Sequence, residues 1–213
     1  VEVFVATNRQ GLTGPRQELR SPQTRHLRLT ARNPPGHVPG RLELPRNRAD
    51  PDQHFLAQSV VDVPSEQQFV QGIRNSIAAR PAGEKGLALF VHGFNTDFGF
   101  GAMRVAQLHH DLAYPGAVAH FSWPSAASIF GYGYDRDSVL FSRDALESHL
   151  RLLAKTGTPI LLVAHSMGAQ LTVEALRQIE MATPGWSSRH LSGVVLLSPD
   201  IDIDVFHSQV AAF

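Results

Sequence analysis

Cysteine is absent from this chain of 213 residues. Disulfide scaffolds, thiolate nucleophiles and cysteine-ligated metal sites are thereby excluded, while the redox compartment stays open. Net charge is missing too: 19 basic residues balance 19 acidic ones, so no strong field favours nucleic acid or an acidic membrane surface. The first fifty residues do hold nine arginines against four acids. They lack interleaved aromatics on which bases would stack, and a solvated loop surface accounts for them, so no nucleic-acid partner is expected. No apolar run approaches the roughly eighteen residues of a bilayer span, and no signal-peptide pattern opens the chain. A soluble protein is expected, cytoplasmic, or periplasmic if an export signal has been removed; a start at Val1 rather than methionine fits a trimmed form.

The length suffices for one domain with a substantial core. Val3 to Ala6 reads as an opening strand. A Pro- and Arg-rich region follows to about Pro51, interrupted by the alternating stretch His26 to Ala31, which suits an edge strand; Phe55 to Val63 suits another. From Leu87 onward strands and helices alternate. The apolar run at Leu87 is followed by a helix near Ala102 to Leu112, a strand at Ala117 to Phe121, a helix near Asp137 to Ala154, a strand from Ile160, a further helix, and a strand at Val194 to Leu197. This alternation predicts an α/β fold, a mostly parallel sheet with helices on both faces. Residues 1–86 are expected as N-terminal strands and long loops, and 87–213 as the strand-helix core of the same domain. Two stripes should face that core: Val105, Leu108 and Leu112, and Leu146, Leu150 and Leu153. Ligands in such sheets collect beyond the carboxyl ends of the strands, so the loops after Val91, Phe121, His165 and Leu197 should surround one cleft.

The segment Ile160-Leu-Leu-Val-Ala-His-Ser-Met-Gly168 carries the most chemistry. An apolar strand runs into a tight turn with Ser166 at its tip, ahead of a helix marked by Leu171, Ala175 and Ile179. A serine hydroxyl is a poor nucleophile, so it must stand clear of its own backbone, meet a base and lie near free N–H donors; a strand-to-helix turn supplies all three. The flanking residues must be small, and they are Ala164 and Gly168. The alternative role for Ser166 is a cap on the following helix.

A second apolar run ends in His92-Gly93-Phe94-Asn95, where a turn just after a strand can present backbone donors to a developing oxyanion. The expected oxyanion hole is the N–H groups of Met167 and Phe94, with Asn95 as support. His92 suits a structural hydrogen bond under the loop rather than the role of general base. His165 and Trp123 are expected to line or support the same cleft.

These segments, with Phe121-Ser122-Trp123-Pro124-Ser125, Ser198-Pro199-Asp200-Ile201-Asp202, Ala6-Thr7-Asn8-Arg9 and Tyr134-Asp135-Arg136-Asp137-Ser138, cover nearly the whole chain. Together they resemble a bacterial family of α/β-hydrolase-fold proteins of unknown function, described as esterase- or lipase-like. The resemblance implies an α/β-hydrolase fold and a serine-hydrolase site on Ser166. In that fold the triad runs serine, acid, histidine, with the histidine after the last strand. Only one strand follows the elbow helix here. The chain is therefore expected to be truncated after the equivalent of the sixth strand, with the histidine, and in one version the acid, beyond Phe213. Within the chain the acid candidates are Asp200 and Asp202, for which helix capping is the competing role. His207 is the one histidine in the right order near them and the candidate base, though it falls on the next helix.

Other constellations fail on spacing. Asp200-Ile-Asp202-Ile-Asp204 imitates a calcium loop but lacks its glycine and closing glutamate. His109-His110-Asp111 are neighbours that point apart on a helix, and no His/Glu pair of the zinc-hydrolase type occurs. No metal or cofactor is expected. Gly131-Tyr132-Gly133-Tyr134 lacks the lysine of a phosphate cradle and reads as a mobile segment. With Ile129 and Phe130, that segment suits either a lid or acyl-binding wall, or ordinary packing onto the helices beneath. The expected activity is carboxylester hydrolysis through an acyl-enzyme on Ser166, with a small acyl ester as partner; nothing in the sequence sets an oligomeric state. The alternatives are a binding or scaffold protein that keeps the fold without turnover, and acyl transfer or amide hydrolysis on the same serine.

Overall fold

Strict alternation in the opening residues sets the two faces of a sheet: Val3 and Val5 pack on one side, Phe4 and Ala6 on the other. In the computed structural model, which describes residues 1–211, the order is β1 (Glu2–Arg9), β2 (Arg20–Arg32), β3 (Leu56–Asp62), α1 (Glu66–Ala78), β4 (Leu87–Val91), α2 (Phe98–Asp111), β5 (Ala117–Ser122), α3 (Tyr132–Ala154), β6 (Ile160–His165), α4 (Met167–Ala182), α5 (Trp186–His190), β7 (Leu191–Leu197) and α6 (Ile203–Val210). The seven strands form one sheet in the order β3-β2-β1-β5-β4-β6-β7. β1, β5, β4, β6 and β7 run parallel, and β2 is antiparallel to both of its neighbours.

Helices cover both faces. On one, Phe69 and Ile73 of α1, Leu146 and Leu150 of α3 and Leu171 of α4 pack on Leu87, Leu89, Ala119 and Leu162. On the other, Phe98, Ala102, Val105 and Ala106 of α2 pack on Val3, Val5, Phe90 and Val118, joined by Leu27, Leu29 and Phe55. The mostly parallel α/β sheet follows the alternation of the sequence. Its register aligns the strand ends that matter: Val91 pairs with Phe121 and with Ala164, Thr7 with Ser122, and His165 with Leu197. The following loops therefore emerge at one level. No helix among the described residues is long and apolar enough to cross a membrane.

Four local expectations need correction. The stretch His26 to Ala31 is not an edge: it lies in β2, between β1 and the true edge strand β3. The segment expected as strands and long loops also carries α1, whose Ser65 accepts a capping bond from Gln68 N at 3.2 Å and whose buried stripe is Phe69, Val70, Ile73 and Ile77. Leu112 is 73 % exposed because α2 ends one residue before it, so the stripe of that helix runs through Phe98, Ala102 and Val105 instead. Tyr132 to Tyr134, read as mobile, form the first turn of α3. They are pinned there: Tyr134 donates to Glu18 O at 2.6 Å, and the Arg20 guanidinium lies 4.2 Å above the Tyr134 ring.

Candidate functional site

Ser166 occupies the turn between β6 and α4 with φ 52° and ψ −124°. This conformation is disfavoured for any residue with a Cβ and costs about 1–3 kcal/mol, a strain that surrounding structure must hold in place. Backbone bonds do so: Ser166 N donates to Leu197 O at 2.9 Å, and Asp200 N donates to Ser166 O at 3.1 Å. The side chain makes no capping bond to α4, so the helix-cap role is not the one adopted.

The His92-Gly93 turn meets this elbow closely. A Cβ built on Gly93 would lie 2.8 Å from His165 Nδ1 and 2.9 Å from Ser166 Cβ; one built on Gly168 would lie 2.2 Å from His92 O and 2.8 Å from Val91 O. Gly168 is required by the approach of backbone, and Gly93 by the crowding of His165 and Ser166 against it. Ala164, where the usual elbow has glycine, is fully buried in the core of the sheet. The N–H groups of Met167 and Phe94 have no hydrogen-bond partner among the described residues, whereas Asn95 N is already used, donating to Asp135 Oδ2 at 3.2 Å. Asn95 itself sits at φ 55°.

His92 is 2 % exposed and lies under the turn. Its ring stacks on Trp123, with centroids 4.7 Å apart and planes at 11°, and Trp123 Nε1 donates to His92 O at 2.8 Å. Trp123 is fully buried, so it supports the loop without touching the cleft. Three groups surround the ring nitrogens: Gly93 O is 2.9 Å from Nδ1, and Trp123 O at 3.0 Å and Arg9 Nη2 at 3.2 Å both face Nε2. A proton on Nδ1 satisfies the first and lets Nε2 accept from Arg9; the opposite tautomer satisfies Trp123 alone. Desolvation, then the Arg9 charge and His120, hold the imidazole pKa well below its ordinary value, so His92 is neutral.

Arg9, at the end of β1, is the residue whose role the sequence did not disclose. It is fully buried. Its Nε donates to Ser122 Oγ at 3.0 Å, Nη1 to Gln17 O at 2.8 Å and Ser125 O at 3.2 Å, and Nη2 to Thr96 O at 2.9 Å as well as to His92. Every N–H of the guanidinium therefore has an acceptor. Burial pushes its pKa down to about 10, against the pull of Asp97 and Asp135, so it remains a cation near neutrality. Asp135, in the first turn of α3, complements its charge. Its carboxylate accepts from Ser125 Oγ and Ala126 N, each at 2.6 Å, besides Asn95 N. The turn carrying Phe94 is thus clamped by a buried cation and a buried carboxylate.

A cleft of about 560 Å³ opens over these groups, lined by Ser166, His165, Phe94 and Asn95 and by Phe90, Phe100 and Arg104. The loops after β4 and β6 reach it directly, β7 reaches it through its last residue, Leu197, and the loop after β5 supports it through Trp123 and Ser125. Asp200 lies next to the elbow through its backbone, and its Oδ2 accepts from Tyr132 Oη at 3.0 Å. Asp202 caps α6, its Oδ1 accepting from Asp204 N at 2.9 Å and Val205 N at 3.1 Å. His207 lies on α6 as anticipated. Among the described residues no histidine is hydrogen-bonded to Ser166 Oγ, and none of Asp200, Asp202 and His207 lines the cleft. Ile129 and Phe130 project into solvent, Phe130 at 91 % exposure, while Tyr132 brings the end of that loop edge-on to Phe94 at 5.4 Å. Among the described residues no cluster of three His, Asp or Glu side chains is arranged to hold a metal ion.

A mostly parallel sheet sheathed on both sides, with a serine on a strained turn at the carboxyl ends of its strands, defines an α/β-hydrolase fold. The chain belongs to the alpha/beta hydrolase family of unknown function DUF900, whose model matches residues 66–213. No curated protein and no solved structure matches it.

Proposed function

We propose that this protein is a serine hydrolase that cleaves carboxylic esters through an acyl-enzyme on Ser166. The observation carrying this reading is the elbow itself. Ser166 is held at φ 52° with its hydroxyl uncommitted to the helix, beside two backbone N–H groups, those of Met167 and Phe94, that have no partner among the described residues. Ser166 Oγ attacks the ester carbonyl, the two amides receive the oxyanion, and collapse breaks the C–O bond to the alcohol, which leaves with the serine proton relayed by a base. Water then hydrolyses the acyl-enzyme, regenerating the Ser166 hydroxyl. Asp200 is the stronger acid candidate, because it adjoins the elbow while Asp202 is engaged as a helix cap. His207 is the base candidate by chain order.

Labelling with a fluorophosphonate probe tests the proposal, with Ser166→Ala as control. Labelling that depends on Ser166 supports it, and its absence overturns it. On an activated ester, Ser166→Ala should lower turnover on the order of a millionfold, by analogy with serine proteases. A second reading, a binding protein that keeps the fold without turnover, is favoured by the lack of a histidine hydrogen-bonded to Ser166 among the described residues. Inertness toward short and long acyl esters together with a stable protein partner would support it. Acyl transfer and amide hydrolysis use the same acyl-enzyme and are separated by product analysis.

A further inference from the structure

The cleft beside Ser166 contains one formal charge, and it is a cation. Arg104 of α2 lines the same cleft as Ser166 and His165, and no carboxylate lines it. Arg104 forms no ion pair among the described residues. Its Nη1 donates to Gln107 Oε1 at 2.7 Å, and its Cζ lies 5.3 Å from the centre of the Phe100 ring. The Nε–Nη2 edge, the edge that grips a carboxylate through two parallel N–H···O bonds, has no partner among the described residues. The contrast with Arg9, whose every donor is matched inside the protein, is direct. The charge is felt across the cleft: the His165 pKa is lowered first by desolvation and then by Arg104.

The neighbouring wall is apolar, from Phe90, Phe100 and Leu108. That combination fits a short hydrocarbon chain ending in an anion. One guanidinium matches a monoanion; a phosphate dianion would call for a second cation, and the cleft has none. We infer that the cleft selects esters whose acyl chain ends in a free carboxylate, half-esters of dicarboxylic acids, with Arg104 holding the carboxylate while the ester carbonyl sits at Ser166. This rests on the serine-hydrolase reading.

The test compares 4-nitrophenyl half-esters of succinate, glutarate and adipate with neutral 4-nitrophenyl alkanoates of matched length. The wild-type protein should favour at least one half-ester in kcat/KM, and Arg104→Gln should reduce that preference by about tenfold to a hundredfold, the range for losing a charged hydrogen bond. The preference should also shrink as salt is raised. An unchanged ratio in Arg104→Gln, or no preference in the wild type, overturns the inference. If neither ester class is hydrolysed and no Ser166-dependent labelling occurs, the esterase reading fails, and the anion site is judged separately by calorimetry with glutarate. Binding to Ser166→Ala that weakens at least tenfold in Ser166→Ala/Arg104→Gln sustains it; equal binding, or none, overturns it.

Discussion

Replacing Gly168 with alanine should damage stability and reactivity together, because one methyl group would enter the seam between the elbow and the His92 turn. The added Cβ would lie 2.2 Å from His92 O, 2.8 Å from Val91 O and 3.0 Å from His92 C, all of them backbone atoms that no rotamer change can move. A carbon and a carbonyl oxygen come no closer than about 3.3 Å in ordinary contact, so the start of α4 must retreat from β4 by roughly 1 Å. Overpacking of this kind costs about 1–3 kcal/mol, and each kcal/mol lowers Tm by about 2–4 °C in a domain of this size. The same retreat separates the Met167 and Phe94 amides, and a 1 Å misplacement of catalytic groups slows a reaction about a hundredfold. Thermal unfolding and the rate of Ser166 labelling by a fluorophosphonate measure the two effects. Gly133→Ala is the control: its Cβ would meet nothing within 4 Å, and relief of glycine's entropy in α3 should raise stability by about 0.5–1 kcal/mol. A Gly168→Ala protein with wild-type Tm and wild-type labelling would refute the close-approach argument.

Three further outcomes are expected. Stability should fall steeply on mild acidification. Desolvation pushes His120 down to about 4, His149 down to about 3 and His92 well below its ordinary value. The unfolded chain therefore takes up protons near pH 6.5 that the folded chain refuses; His120 and His149 each remove about 1–2 kcal/mol between about pH 6.5 and about pH 5, and His92 acts in the same direction; equal urea-unfolding free energies at those two pH values would refute this. His37 should act in the opposite sense. Burial works against its charge, but bonds to Glu43 and Asp111 prevail and raise its pKa. Its contribution is complete below about pH 6.5 and disappears as pH climbs through the raised value, so His37→Gln should be more destabilising at acid than at alkaline pH, read as the Tm difference from wild type. Arg9→Lys should lower stability by at least about 3 kcal/mol, because an ammonium cannot reach the acceptors that the fork serves; an unchanged melting curve would contradict the clamp.

The parts of this molecule that are legible in the sequence are those written in consecutive residues. The elbow and the His-Gly turn each fit within about a dozen positions, the alternation from Leu87 onward is a succession of contiguous segments, and the strands of the parallel core lie where their apolar runs put them. Helix α1 carried an equally local signal, Ser65 followed by Phe69, Val70, Ile73 and Ile77, that the Gln- and Ser-rich surroundings masked. The clamp is different in kind. Arg9 meets Thr96 across 87 residues and Ser122 across 113, and Asp135 meets Asn95 across 40. Such partners are joined by strand order, and no spacing rule exposes them. The same reason hides Arg104, which on the sequence is one more cation on a helix and in the fold lines the cleft that holds Ser166, tied through Gln107 to Asp111 but without a direct ion pair among the described residues.

The arginine at the end of the first strand has a wider implication. It lies outside residues 66–213, the span that the family model matches, yet it grips the turn on which the proposed anion-stabilising amide depends. Reactivity here would be conferred only once the opening strand has docked between β2 and β5, so a fragment beginning at residue 66 would retain the serine and lose the frame that arms it.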